Sequence, residues 1–586
     1  MLDFIWKYKY IFYSFIFLIF LYSLYLISNP KIFFDTERIL KYADDIQIEL
    51  KESFNDKNLL LLGVELEDEI SYQKIKKIDS TYKLISSDTL IKLERSIFSE
   101  KRMLFSGLFF HSFNVLNTDS EVKYNSSLAK LEEKSSLFLS NDFKKLFFIL
   151  EMQDNLESDV QENLIFNIKK KLKNLNPKNV FVSGQIPSEL YMQENVVKEL
   201  FLLTILSAFF CFLILWVFTL NLKFVFLTLL SVIFSVVISM SISQFIYGGI
   251  ELVMIIMPAI IFIVCVSDLM HLINDNQQFI SDKKEFFKQK IKNIGIPVGL
   301  TSLTTAIGFL SFCFSDVLPI TRFGFITTLG IIVSLFIILV SYSICVDLNF
   351  HLIKGNQFFN KMINNFISFI VNYKNKFSFY LLLISLFALS IYGMSNFRID
   401  NYLTDEVNTN SRLYKEMSFF NDNFGGIKPV TFKIPIEKNV NIKSLLNFEK
   451  FLQSNDFSLD FSLTSLVENP EFVNKSMLKK ITKDNYKIQT RMNDLGSKYS
   501  FAVFEKIKLK AKELALDLKV GGAGYLFDQV SNQLTREILY GLLIAILTIG
   551  VLFVLINGFN LNYFFVALIP NVFPILVAIG ILCLTN

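Results

Sequence analysis

Long apolar blocks alternate with two long polar tracts, and that alternation lays out the 586-residue chain. A helix needs about 20 mostly apolar residues to cross a hydrocarbon core about 30 Å thick. By that measure the pattern predicts spanning helices at about Tyr10–Ser28, Leu200–Leu220, Phe224–Ile246, Leu252–Ile273, Val298–Phe314 and Phe323–Cys345. Three more are predicted at about Phe377–Tyr392, Ile538–Ile556 and Phe564–Leu584. The polar tracts, residues 29–197 and 395–536, are each long enough for a folded domain. In the first, LLLLGVELED and FKKLFFILEM read as strands, while TERILKYADDIQIEL and VQENLIFNIKKKLKNL have the period of amphipathic helices. NVFVSG then gives a strand, followed by a helix running into the membrane. The expected class is a polytopic α-helical membrane protein with two α+β external domains.

The order suggests an internal repeat: helix, large polar domain, helices, then the same again. VFVSGQIPSELYMQENVVKELFLLTIL at the end of the first domain parallels LKVGGAGYLFDQVSNQLTREILYGLLIAIL at the end of the second. Each then crosses the membrane and turns on an Asn-Leu pair, Asn221-Leu222 and Asn560-Leu561. FNDKNLLLLGVEL from Phe54 parallels FNDNFGGIKPVTFKI from Phe420. A repeat of this length in a membrane protein points to a transporter with two related halves. The expected segments are a first helix within 1–28, a domain over 29–197, five helices over 198–348, an amphipathic segment over 349–376, a helix over 377–394, a domain over 395–536 and two helices over 537–586. Six helices stand in the first half and three in the second, which suggests a fragment or a premature end lacking three further helices, with a natural short form as the alternative.

Composition sharpens this picture. Hydrophobic residues make up 52% of the chain and 64 are Phe, giving a mean hydropathy of +0.43, too apolar for a soluble protein of this length. The net charge of +4 is spread out, without the basic patch that nucleic-acid binding needs. Lys7 and Lys9 precede the first helix, and Lys283, Lys284, Lys288, Lys290 and Lys292 fall between the fourth and fifth. The positive-inside rule puts both clusters in the cytoplasm and both large domains outside. Lys354, Lys361, Lys374 and Lys376 mark the 349–376 segment as one lying along the inner membrane surface. All five cysteines lie in or beside apolar blocks, so no disulfide framework is expected. No CxxC, HExxH or clustered His is present, and neither a metal site nor a cofactor is expected. The external domains hold no catalytic constellation. His111, in SGLFFHSFNVL, reads as a packed core residue, and Phe105, Phe109, Phe110 and Phe113 read as domain core or as a lipid-binding cleft.

The candidate chemistry is concentrated in LVMIIMPAIIFIVCVSDLMHLINDNQQ, Leu252–Gln278. A carboxylate in a spanning helix costs about 2.5–3.5 kcal/mol and reads as functional by default. Asp268 and His271 are three apart, so one helix face has room for both, with Ser267 beside them. Alone, the helix admits a second reading, in which these residues are its wet end. On the next helix Thr301, Ser302, Thr304 and Thr305 put four hydroxyls within little more than one turn, suited to helix packing or to hydrogen bonding Asp268. Gly308, Gly324 and Gly330 read as close-contact positions, and Pro258, Pro570 and Pro574 as kinks in their helices.

Several of these stretches resemble the RND superfamily, in its MMPL and Patched-like branch of exporters. VSDLMHL at Val266–Leu272 resembles the acidic motif of that family's fourth helix. GLTSLTTAIGFLSF at Gly299–Phe312 and PITRFGFITTLG at Pro319–Gly330 resemble its fifth and sixth, and ALIPNVFPILVAIGI at Ala567–Ile581 its ninth. FGG at Phe424–Gly426 resembles the start of its second external domain. The resemblance implies an RND-type fold with two porter-like domains and a sterol-sensing-like bundle over helices two to six. It also implies proton-driven export of hydrophobic or amphiphilic, lipid-like substrates, with a homo-oligomer or a periplasmic protein as partner. Asp268 matches the second acidic position of the family's paired-acid motif, with His271 at the family's spacing. Ser267 stands at the first acidic position, and Cys265 where Gly is frequent. A non-transporting protein binding lipid or a partner through the sterol-sensing-like bundle is the alternative, with a protein-translocation accessory as a third.

Overall fold

The computed structural model describes residues 2–28, 31–33, 58–105, 110–133, 137–153, 156, 158–273, 282–350, 361–362, 364–368, 373–395, 400–404, 407–436, 441–467, 470–473, 478 and 485–585. The expected helix at TERILKYADDIQIEL and most of the 349–376 segment lie outside these residues. The first half runs α1 (Leu2–Ile27), β1 (Ile32–Phe33), β2 (Leu59–Glu65), α2 (Tyr72–Ser86), β3 (Ile91–Ser96), β4 (Lys101–Phe105), β5 (Phe110–Asn114), α3 (Glu121–Glu133), β6 (Lys145–Met152), α4 (Ser158–Lys173) and β7 (Asn179–Gly184). It continues with α5 (Gln185–Thr219), α6 (Leu222–Tyr247), β8 (Ile250–Glu251), α7 (Met257–Ile273), α8 (Lys283–Leu310) and α9 (Leu318–Asp347). Next come α10 (Tyr373–Ser395), α11 (Arg412–Asn423), β9 (Lys428–Pro435), α12 (Ile442–Gln453), β10 (Ser458–Phe461), α13 (Leu463–Leu466) and β11 (Asn485–Met492). The chain then forms α14 (Ser497–Glu513), β12 (Lys519–Gly521), α15 (Ala523–Ile556) and α16 (Asn562–Thr585).

Two compact units result. One comprises residues 1–42, 194–398 and 534–586; the other comprises 43–193 and 399–533. Among the described residues eight helices are long and apolar enough to span a membrane, and α10 carries a shorter apolar run, Tyr380–Gly393. The chain is a multi-span helical membrane protein with β-containing extramembrane domains.

In the helical unit, α9 packs on α6, α7 and α8, and α1 lies against α6 and α9. Two boundaries depart from the hydropathy reading. The lysine-rich segment before the fifth helix is itself helical: Asp282 caps it by accepting from the Lys284 amide at 2.9 Å, and Phe286, Phe287 and Ile291 are buried on one side of it. Pro258 does not kink a long helix but sits in the first turn of α7, after a 3-10 turn over Leu252–Ile256, where its missing N–H costs nothing. Along α6, Ser231, Ser235 and Ser239 recur at four-residue spacing, and each donates its hydroxyl to a carbonyl one turn back at 2.8, 3.0 and 2.6 Å. Hydroxyls satisfied this way let small residues line a tight helix contact without leaving polar atoms unpaired.

The extramembrane unit holds two sheets with one topology. The first is ordered β3-β6-β2-β7 and the second β10-β11-β9-β12, antiparallel throughout. Each is a βαββαβ arrangement with its insertion between the second and third strands. The repeat seen in sequence is therefore a repeat of strand order. One core forms over β2, β6, α2 and α4, and it takes in Leu413, Met417, Phe419, Phe420 and Phe424 from α11 and its end. Gly63, in the middle of β2, has a physical reason: a Cβ there would stand 2.3 Å from the Phe419 ring. Phe419 also stacks on Phe181 at 4.0 Å between centroids. The Arg491 guanidinium lies 4.5 Å from the Phe147 ring centre while holding Asp460 at 2.8 and 3.0 Å. His111 departs from expectation. It lies exposed on the two-stranded β4–β5 ribbon, opposite Leu104, where two strands alone make no core.

Lys428 is completely buried at the start of β9, between Asp528 at 2.9 Å and Asp494 at 2.8 Å, both with buried side chains. Removing one member of such a set leaves charge uncompensated, so Lys428→Ala is expected to destabilise the unit by about 3–5 kcal/mol. A lowered thermal unfolding midpoint of the purified protein checks this. Glu65 gives a pH signature. Partial burial raises its carboxyl, but hydrogen bonds from Asn179 and Lys178, both 2.8 Å, prevail and hold it below its usual range. That contribution is present above the ordinary value of 4.5 and is lost as pH falls through the lowered one. Unfolding midpoints measured against pH should show a shallower acid limb for Glu65→Gln.

Candidate functional site

Helix α7 is apolar on nearly every side, so its one acid stands out. The buried side of the helix continues from Met257, Ile261 and Phe262 through Cys265, Asp268, Leu269 and Leu272, spaced as one helix face. Asp268 is 1% exposed. Ser302 of α8 donates its hydroxyl to Asp268 Oδ2 at 2.7 Å. Thr301 lies 3.4 Å from Oδ1, but its hydroxyl also donates to the Val298 carbonyl at 2.8 Å. One hydroxyl has one proton, and the shorter bond takes it. Asp268 thus has one good donor, and among the described residues it has no ion-pair partner.

The other sequence candidates divide. Thr304 and Thr305 both donate to the Thr301 carbonyl, at 2.9 and 2.8 Å, and are satisfied on their own helix. Ser267 and His271 are exposed, in register with exposed Ile263 four residues earlier. They form a stripe beside the buried one, so the structure does not bring His271 to the Asp268 carboxylate. Three-residue spacing leaves about 60° between two side chains, enough for the burial boundary to pass between them.

The glycines divide as well. A Cβ on Gly330 would stand 2.8 Å from the Ser239 hydroxyl and 3.1 Å from Ile261, so α9 meets α6 and α7 there without room for a methyl. A Cβ on Gly324 would stand 2.6 Å from the Phe309 carbonyl. Gly308, expected to be a contact position too, has only Ile549 within reach, at 3.9 Å.

Two polar features escaped the sequence reading. Glu251 and Arg322 pair at 2.5 Å, with the guanidinium 4.6 Å from the Tyr247 ring centre. A lone Glu after the third helix and a lone Arg early in the sixth were the available signal. The second is a hydroxyl cluster in which Ser341 donates to Ser231 at 2.6 Å and Tyr13 lies 3.3 Å from the same oxygen. Spacing within one helix cannot reveal it, because it joins three.

Comparison with known proteins follows the same lines. The MMPL family matches residues 111–341, which include α7, α8 and most of α9. No curated protein matches the chain. The cryo-EM structure of the hedgehog release protein Disp from water bear (Hypsibius dujardini) aligns with TM-score 0.54 at 11% identity, over 100% of this chain and 86% of that one. At this identity the likeness is one of fold. An X-ray crystal structure of a heavy metal efflux pump aligns with TM-score 0.43 at 9% identity, over 91% of this chain and 64% of the pump's.

The glycine geometry gives a paired prediction. Gly330→Ala should cost about 1–3 kcal/mol through overpacking. Gly308→Ala should be neutral or stabilising by up to about 1 kcal/mol, since Ala is the better helix former. Melting temperatures of the two variants in one detergent decide the matter, and equal losses would contradict it.

Proposed function

We propose that this chain, which matches the MMPL family over residues 111–341, exports hydrophobic or amphiphilic, lipid-like molecules across or out of a bacterial inner membrane, driven by protons. Asp268 is the group that takes up and releases the proton. The observation that carries this reading is a carboxylate 1% exposed, with one hydroxyl at 2.7 Å and no compensating cation among the described residues. Such a site buries a neutral acid at little cost and an anion at high cost, so gain and loss of a proton changes which packing around α7 and α8 is favoured. Ser302 is the positioning residue, and Thr301 stands second to it. Ser267 and His271 flank the site on the neighbouring face and serve the proton only where it passes along that side of α7.

The orientation in this reading has the N-terminus in the cytoplasm and both sheet-containing lobes on the other side. Contacts within the helical unit support it. Lys284 and Lys288 reach Asp3 at 2.9 and 2.8 Å, while Lys9 lies 3.3 Å from Asp347, so the early lysines and those opening α8 gather at one end of the bundle. That is the arrangement the positive-inside rule requires.

The test is transport of a fluorescent lysophospholipid by proteoliposomes under an imposed pH gradient. Wild type should move the probe only with the gradient. Asp268→Asn should fall to the protein-free background, and Asp268→Glu should retain part of the activity. Wild-type transport by the Asn variant would remove Asp268 from proton coupling and turn the reading toward a lipid- or partner-binding protein.

A further inference from the structure

The extramembrane unit carries a half-open notch of about 320 Å³ whose wall is strongly basic. Lys169 and Lys173 come from the last turns of α4, Lys178 from the turn before β7, and Arg412 from the first turn of α11. Pro177 and Val180 supply what apolar wall there is.

Two carboxylates answer these four cations. Glu416 accepts from Lys169 Nζ and from Arg412 Nε, each at 3.0 Å, and its side chain is 7% exposed. Glu65 accepts from Lys178 at 2.8 Å. Glu67 adds a third negative charge that acts on Lys178, so four positive charges against three negative leave a surplus of one. Lys173 makes no ion pair among the described residues, and there the only part of Arg412 engaged is Nε, which leaves the outer guanidinium nitrogens with their donors. Lys169 and Arg412 are held in place by the buried Glu416, so part of the cost of ordering them is already met in the fold. A guanidinium anchored through Nε and an ammonium without an ion pair among the described residues, lining one notch, make a donor set suited to a tetrahedral oxyanion.

Size narrows the ligand. The cavity lies at the small end of the range of about 300–1,000 Å³ typical of ligand pockets. With two apolar residues in its wall it suits a charged, polar group and gives acyl chains nothing to pack on.

We propose that this notch binds a phosphate-type oxyanion carried on a small polar group. For that anion to be the headgroup of a transported amphiphile, the inference rests on the export reading above; for binding alone it does not. The experiment is calorimetric titration of the purified full-length chain with dihexanoyl phosphatidic acid below its micelle concentration. Inorganic phosphate and dihexanoyl phosphatidylcholine are titrated alongside. Saturable phosphatidate binding is expected. It should weaken by about tenfold or more, the equivalent of about 1.4 kcal/mol, in the double variant Lys173→Ala/Arg412→Lys, where the lysine keeps a cation against the buried Glu416 while the outer guanidinium donors are lost, so that the melting temperature is retained. Lys173→Ala alone should give an intermediate loss. Phosphatidate binding tighter than phosphate identifies a headgroup as the source, and equal binding identifies the free anion; both support the site. Absence of binding, equal binding of phosphatidylcholine, or full binding by the double variant overturns it. Asp268→Asn protein should bind phosphatidate as wild type does. A chain that binds the anion and transports nothing therefore refutes export alone, and one that transports without binding refutes the notch alone.

Discussion

Polar groups inside a membrane-spanning bundle must find their partners within the protein, and this requirement governs the helical unit. Ser231, Ser235 and Ser239 of α6 meet it by donating to their own helix. Thr304 and Thr305 do the same on α8. With these hydroxyls satisfied at home, the helix surfaces present small groups to each other, and backbones approach until Gly330 has no room for a methyl. Close packing of α6, α7 and α9 is in this sense a product of hydrogen-bond economy. Against such a background a carboxylate with one donor is conspicuous, and its character comes from what its neighbours withhold. Thr301 stands within reach of Asp268, yet its proton is engaged by Val298.

Much of this was legible in the residues. The apolar blocks correspond to helices, eight of them among the described residues long and apolar enough to span, because the bilayer sets a length that sequence must match. The parallel between the two domain ends was a true sign of shared architecture, since both sheets have the same strand order. Asp268 was legible because an acid in an apolar run is rare, and Ser302 because hydroxyls clustered on the next helix. Which hydroxyl reaches the acid was not legible. That depends on the rotation of α7 and α8 about their own axes, which periodicity leaves free over tens of degrees. The same freedom explains His271, three residues from Asp268 yet across the burial boundary. Gly308 and Gly330 have the same local signature in sequence, and only the neighbouring helix distinguishes them. Lys428, Asp494 and Asp528 looked like ordinary charges because their burial is built by segments far apart in the chain.

The lobes follow a different rule, since water is at hand and charge need not be avoided. Their junction nonetheless relies on rings: Phe181 on Phe419, and Phe147 beneath Arg491 and against Phe424. The charged contacts near the surface, including those of Lys178 and Arg412, are of another kind, partly exposed and Coulombic. Ionic strength separates the two. Salt shortens the reach of exposed charges to about 3 Å at 1 M and leaves buried ring contacts nearly untouched. Raising salt therefore weakens the basic notch's hold on an anion while the aromatic junction keeps the lobes joined, so washing a charged ligand out of the purified protein need not unfold the surface that held it.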